Sequence, residues 1–353
     1  MHILLIGGTG IISTAVTRQL LADGRHQVYL LHRGNGSREA ARHPDGAMWI
    51  QADMRNETDV AAKTEALSFD VIVDFIAFEP EHLERDFRLF HGRTRHFVFI
   101  SSASVYQKPP GHYVIDEGTP LANPHWLYAR NKIACEETAM RLYREHGFPV
   151  TIVRPSHTYD ERYVPLAVHG RNGPWQVIRR MLDGKPVLVH GDGTSLWTLT
   201  HSSDFAKGFV GLLGNPNALG ESVHVTSDET LTWNAIHAII AQTLGVACNL
   251  CHVPSAFLAR AGNMDLEGSL LGDKAHSVVF DNHKLKRLVP GFVATKRFDE
   301  GIGETLRHVL SHPECQVVDE AFDRWCDRVI DALEIARISI MRETGIGDAE
   351  VVK

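Results

Sequence analysis

His2-Ile-Leu-Leu-Ile-Gly-Gly-Thr-Gly-Ile-Ile-Ser13 decides the fold of this 353-residue chain. His2 to Ile6 is a short apolar run suited to a strand buried on both faces. Gly7, Gly8 and Gly10 then allow a tight turn and close approach of the backbone to a ligand. Ile12, Ala15, Val16 and Leu20 recur at helical spacing, and Gly24 supplies a stop signal. Phosphate oxygens at such a helix start, around Ile11 and Ile12, would meet free N–H groups and the positive end of the helix dipole. An ordinary glycine-rich strand-to-helix turn would look similar, so the reading needs support from further along the chain.

The first half alternates strands and helices, as a parallel sheet with crossover helices requires. Strand-like runs fall near 2–7, 27–32, 48–51, 71–76, 96–101 and 149–154, and helical patterns near 11–23, 57–67, 80–91 and 124–146. Ligands of such sheets sit at the carboxyl ends of strands. Gly7, Ser102 and Arg154-Pro155 all follow strands. Tyr128 and Lys132 lie four apart on the predicted helix 124–146 and so share one face. An ammonium beside a phenol lowers the phenol pKa, and the phenolate can take a proton from a hydroxyl while hydride leaves the same carbon. The bland alternative is a surface tyrosine and a solvated lysine. His96 to Ile100 reads as a buried strand running into Ser101-Ser102-Ala103-Ser104-Val105-Tyr106, where local turn bonding by serines is the bland alternative.

These three motifs, in this order, resemble the extended short-chain dehydrogenase/reductase family, of the NAD-dependent epimerase/dehydratase type. The resemblance implies an α/β fold: a Rossmann-type doubly wound parallel sheet with a smaller, discontinuous C-terminal substrate lobe. The dinucleotide-binding part is expected at 1–155 plus about 194–226, the lobe at about 156–193 and 227–312, and a helix and tail at 313–353. It also implies that Ser102, Tyr128 and Lys132 are catalytic, with Ser102 fixing the reacting oxygen and Lys132 also holding the nicotinamide ribose. Gly7, Gly10, Ile11 and Ile12 would cradle the diphosphate, with Ser13 in place of the family's third glycine. Asp53 and Met54 would meet the adenine, and Ala77 and Pro155 the nicotinamide end.

Cofactor choice turns on the end of the second strand, where a carboxylate suits NAD and an arginine suits the 2′-phosphate of NADP. His32 and Arg33 stand there, which leans towards NADP, whereas epimerases of the family usually retain NAD. Arg38 and Arg42 are further loop charges. The expected cofactor is therefore NAD or NADP.

Ala103-Ser104 replaces the Asp-Glu of the family's 4,6-dehydratases, and Ser102-Ala-Ser-Val-Tyr106 looks most like the sugar 4-epimerase version. A simple reductase uses the same residues. Ser104 and His157 are the expected substrate contacts. A diphosphate-anchoring arginine of the family is missing before His201, and Arg154, Arg171, Arg179 and Arg180 are candidates to replace it. The activity implied is an NAD(P)-dependent epimerase or oxidoreductase transferring hydride at a hydroxyl-bearing carbon of a sugar or nucleotide sugar. The alternative is a non-catalytic member that senses cofactor or binds RNA.

Composition agrees with a soluble enzyme: 44% hydrophobic and 22% charged residues are ordinary globular values. A net charge near −7 gives no nucleic-acid footprint. No apolar run reaches membrane-spanning length and no leader precedes the first strand, so a cytoplasmic location is expected. Cys248-Asn-Leu-Cys251-His252 matches a c-type haem pattern, yet reads better as a strand with reduced thiols; no metal is expected. The segment Gly262 to His276 is glycine-rich, a candidate substrate loop. Residues 318–342 are a helix candidate with Phe322, Trp325, Val329 and Leu333 on one face. The family resemblance further implies a homodimer through the Tyr-Lys helix and its neighbour.

Overall fold

The computed structural model describes residues 1–34, 44–262 and 264–345; Arg38 and Arg42 lie outside them. Seven strands form one sheet: β1 His2–Ile6, β2 Gln27–His32, β3 Met48–Gln51, β4 Phe69–Asp74, β5 Thr94–Ile100, β6 Val150–Pro155 and β7 Ser222–Val225. Their spatial order is β7-β6-β5-β4-β1-β2-β3, and every pairing is parallel. The order reverses between β1 and β4, which makes their carboxyl ends the crevice of a doubly wound sheet.

Alternating side chains explain why the strands read as unbroken apolar runs. Leu4 and Ile6 of β1 join Ile72, Phe97 and Phe99 in a core on one face. Ile3 and Leu5 join Val71, Val73, Val98 and Ile100 on the other. Both faces are covered, as an all-parallel sheet requires. Helices α2 Glu57–Thr64, α3 Pro80–Phe90 and α4 Leu127–His146 lie on the first face through Val60, Leu83, Phe90, Cys135, Ala139 and Leu142. Helix α1 Ile11–Ala22 and α5 Ser202–Leu212 cover the second through Val16, Leu20, Phe205 and Phe209.

Two strands begin earlier than their apolar patterns suggest, β4 at Phe69 and β5 at Thr94, because Phe69 pairs with Thr94 across the sheet. Helix α4 starts at Leu127 rather than 124, since the Asn123 carboxamide oxygen accepts the N–H of Trp126 at 3.1 Å and turns the chain there.

A third apolar core lies beyond the sheet. It gathers Trp175, Ile178, Val187, Trp233, Ile236, Phe298 and Ile302 from the second half of the chain. The C-terminal helix Glu320–Thr344 packs Phe322, Trp325 and Val329 into it, with Leu333 partly buried at its edge. Arg180, 1% exposed, donates from Nη1 to Asp323 at 2.7 Å and to Asp327 at 2.8 Å, tying that helix to the body. Among the described residues no helix is long and apolar enough to cross a membrane.

Candidate active site

The glycine turn leaves β1 with Gly7 at φ +82°, a conformation that L side chains rarely adopt. A Cβ on Gly7 would lie 2.5 Å from Ile76 Cγ2, and one on Gly8 2.6 Å from Leu30 Cδ2. Ser13, at the third small position of the turn, is 1% exposed. Its hydroxyl accepts the Gly10 N–H at 2.7 Å and donates to the Gly7 carbonyl at 2.9 Å. Serine therefore keeps the turn tight, replacing the absent glycine with two hydrogen bonds.

That turn opens on a cleft of about 600 Å³. Of the residues singled out in the sequence, Gly7, Gly10, His32, Arg33, Asp53 and Met54 line it. The His32 ring accepts the Gly34 N–H at 2.9 Å and packs edge-on against Trp49. Asp53 holds the Arg55 guanidinium at 2.6 Å, and that partner lowers the carboxyl pKa to about 2. The cleft thus has a glycine backbone turn, an ionised acid paired with Arg55 and an exposed Arg33 in its lining. Its glycine backbone and the helix start behind it fit a dinucleotide.

Sequence reading missed the floor of the cleft. Asp74 ends β4 at the switch point and is fully buried. It takes an ion pair from Arg85 at 3.3 Å, while Arg85 also reaches Asp86 at 2.8 Å. Burial, with Asp74 alongside, pushes the Asp86 carboxyl well above the usual carboxylate range. Asp86 and Arg85 belong to the buried face of α3, where a charged residue gives no apolar signal.

A second pocket, of about 270 Å³, contains Ser102, Ser104, Tyr128, Pro155 and His157. Pro155 lines this second pocket beside Tyr128 and not the first. Ser102 and Ser104 hydroxyls are 2.9 Å apart, and Ser102 Oγ also accepts the Ser104 N–H at 3.2 Å. His157 Nδ1 is buried without a partner among the described residues, so this ring is not a satisfied structural histidine. Trp126, Trp197, Asp273, Lys274 and Phe280 complete the wall. Asp273 and Lys274 come from the stretch 264–276, which contains the short helix Glu267–Ser269 and a π-helical turn, Leu270–Lys274.

Lys132 lines neither pocket but lies beneath both. It is 1% exposed, and its ammonium donates to the Ala77 carbonyl at 2.6 Å and to the Ile100 carbonyl at 2.8 Å. Phe78 stands over it at 4.5 Å, and the Tyr128 ring centroid is 5.8 Å away. The expected lowering of the Tyr128 pKa is corrected here. Burial raises the phenol above its ordinary value, with the Ser102 hydroxyl pulling the other way. Burial also brings Lys132 down to about 8, since its positive charge is removed from water.

Two of the proposed anion anchors are also corrected. Arg154, 4% exposed, is locked onto Glu136, with Nη2 2.5 Å and Nε 2.9 Å from its carboxylate oxygens, and Ser101 donates to that same Glu136. Arg180 is committed to Asp323 and Asp327 as described. Arg179 lies by Asp183 at 3.8 Å on an exposed turn, and Arg171 borders a separate cleft. None of the four lines the Ser102–Tyr128 pocket. Cys248 and Cys251 are free thiols on either side of Leu250, whose strand Leu250–Val253 pairs with Val187–His190. Among the described residues no group of three or more His, Cys, Asp or Glu is placed to hold a metal ion.

A doubly wound parallel sheet with a glycine turn at its switch point defines a Rossmann-type dinucleotide-binding protein. The chain belongs to the NAD dependent epimerase/dehydratase family, whose model matches residues 3–226. It is 26% identical over 293 residues to 2′-dehydrokanamycin reductase of Streptomyces kanamyceticus, covering 83% of this chain and 80% of that protein. It is 25% identical over 256 residues to the chloroplast stem-loop binding protein of 41 kDa b of Arabidopsis thaliana, covering 69% of this chain and 63% of that one. In fold it is similar to UDP-glucuronic acid 4-epimerase of Bacillus cereus, solved with NAD, at a TM-score of 0.69 and 18% identity, covering 88% of this chain and 99% of that one.

Proposed function

We propose that the protein is an NAD(P)-dependent oxidoreductase or epimerase that transfers hydride at a hydroxyl-bearing carbon of a sugar-type substrate. The observation that carries this reading is the pocket in which Ser102, Ser104 and Tyr128 meet, beside the glycine-turn cleft and above the buried Lys132. The Gly7–Gly10 turn and the N–H groups of Ile11 and Ile12 hold the diphosphate. Asp53 and Met54 border the adenine, His32 and Arg33 the adenosine ribose, and Ala77 and Lys132 the nicotinamide ribose. The bound nicotinamide supplies the hydride acceptor and donor.

Tyr128 moves the proton of the reacting oxygen, and Ser102 orients that oxygen. Burial keeps the Tyr128 phenol protonated at rest, so in the oxidative direction it gives up its proton only as it takes one from the substrate. The reductase among the relatives favours the reductive direction. The residues at 156–193 and 227–312 act as the substrate lobe, and a homodimer through α3 and α4 follows from the same reading. A second reading, a binding protein without turnover, draws on the stem-loop binding relative; against it stands the joint presence of Ser102, Tyr128 and Lys132 at one site.

The test is to denature the purified protein and identify released nucleotide by mass spectrometry, then measure turnover of wild type and Tyr128→Phe. Retained NAD(H) points to a closed redox cycle and so to epimerisation. NADP(H), or an empty protein that binds NADPH, points to a reductase exchanging cofactor at each turnover. Absence of nucleotide binding, or turnover indifferent to Tyr128→Phe, overturns the proposal.

A further inference from the structure

Lys274 is the single Lys or Arg among the described residues lining the second pocket. Asp273 is the sole carboxylate among the described residues lining it. Two ammonium groups share that carboxylate: Lys108, 2% exposed, at 3.8 Å and Lys274, 12% exposed, at 3.7 Å. Burial keeps the His157 pKa well below its ordinary value, so this ring adds no charge. The cation that lines the pocket thus shares its carboxylate with a second lysine and meets it only at 3.7 Å.

Lys274 presents its ammonium where a ligand would meet it. Its Nζ has no hydrogen-bond acceptor within 3.5 Å among the described residues; it lies 5.8 and 5.9 Å from the ring centroids of Trp126 and Trp197. An ammonium held only at ion-pair distance keeps its hydrogen-bond donors available to water or to a ligand. The backbone nonetheless holds it firmly: His190 Nε2 and Ser195 Oγ converge on the Lys274 carbonyl at 2.9 and 3.1 Å, and Asn123 donates to the Gly272 carbonyl at 2.7 Å. The π-helical turn that presents it is itself rare and frequent at functional sites. Two buried polar atoms on the same wall, Trp197 Nε1 and His157 Nδ1, lack partners among the described residues.

We propose that Lys274 is a specificity-determining residue that seats an anionic group of the substrate, a carboxylate or a phosphoryl oxygen, while Trp126 and Trp197 flank the ring that bears it. This deepens the hydride-transfer reading and rests on it. The flat indoles suit the C–H side of a sugar ring. The arginines that might have anchored an anion are either buried in ion pairs or lie elsewhere, which leaves the task to Lys274.

The test is binding, not turnover. D-Glucuronate, D-glucose 1-phosphate and D-glucose are titrated into the protein saturated with NAD or NADP, whichever it binds, with tryptophan fluorescence and calorimetry as readouts. Wild type is expected to bind at least one charged probe about tenfold more tightly than glucose, as one charge-assisted hydrogen bond allows. Lys274→Met removes that preference, whereas Lys274→Arg retains it. A glucuronate preference identifies a ring carboxylate, and a glucose 1-phosphate preference identifies a phosphoryl ester. Equal binding of all three probes by wild type, or an unchanged preference in Lys274→Met, overturns the assignment of Lys274. Either result leaves the hydride-transfer reading standing as long as nucleotide binds and turnover depends on Tyr128.

Discussion

The Lys132 ammonium donates to the Ala77 carbonyl at 2.6 Å, joining α4 to the chain just after β4. A second bond to Ile100 reaches the end of β5. One cation thus fixes the helix that carries Tyr128 against two strand ends that border both pockets. Lys132→Met is expected to lower turnover by at least about 100-fold, through loss of the charge beside Tyr128 and of the ribose donor that the proposed function assigns to it. Steady-state rates with the cofactor the protein retains check this, and a variant within about threefold of wild type would remove Lys132 from the site.

Gly7 tests the cradle. A methyl group there meets Ile76 Cγ2 at 2.5 Å and forces an alanine into φ +82°. Gly7→Ala should cost about 1–3 kcal/mol of stability and weaken nucleotide binding well beyond that of a surface substitution. Denaturant midpoints and calorimetric titration read the two effects separately.

Arg33 tests cofactor choice. It lines the dinucleotide cleft, exposed, at the place where NAD enzymes carry an acid. If it reads a 2′-phosphate, Arg33→Ala weakens NADPH binding by about tenfold or more and leaves NADH unchanged. Equal effects on the two cofactors would show that Arg33 contributes only a general field.

Stability should fall in mild acid. Burial holds His96, His190 and His237 down to about 4, against an ordinary value near 6.5 in the unfolded chain. The unfolded state therefore binds more protons between these limits, so stability present above about pH 6.5 is lost as pH drops towards 4. Each ring contributes at most about 3 kcal/mol across that window. Denaturant unfolding at pH 7, 6, 5 and 4 should show a progressively lower midpoint; a flat profile would mean that the three rings protonate in the folded state.

Local pattern was enough to read much of this protein. The apolar runs of β1, β2, β3 and β6, the glycine turn and the helical spacing of α1 follow from which residues can be buried on two faces and which can take a left-handed backbone. Periodicity likewise placed Tyr128 and Lys132 on one helix face, because four residues nearly complete a turn.

What the tertiary structure decided is electrostatic. Sequence spacing put an ammonium near a phenol, but burial raised Tyr128 and lowered Lys132, because desolvation disfavours each charged form. Arg154 looked available after a strand, and only the packing of α4 shows Glu136 closing on it. Asp273 and Lys274 stand 145 and 146 residues beyond Tyr128 in a stretch with weak periodicity, so nothing local ties them to the site. Chain spacing and side-chain type determine strands, turns and helix faces, whereas the charge a group carries depends on the neighbours and the water that folding leaves around it.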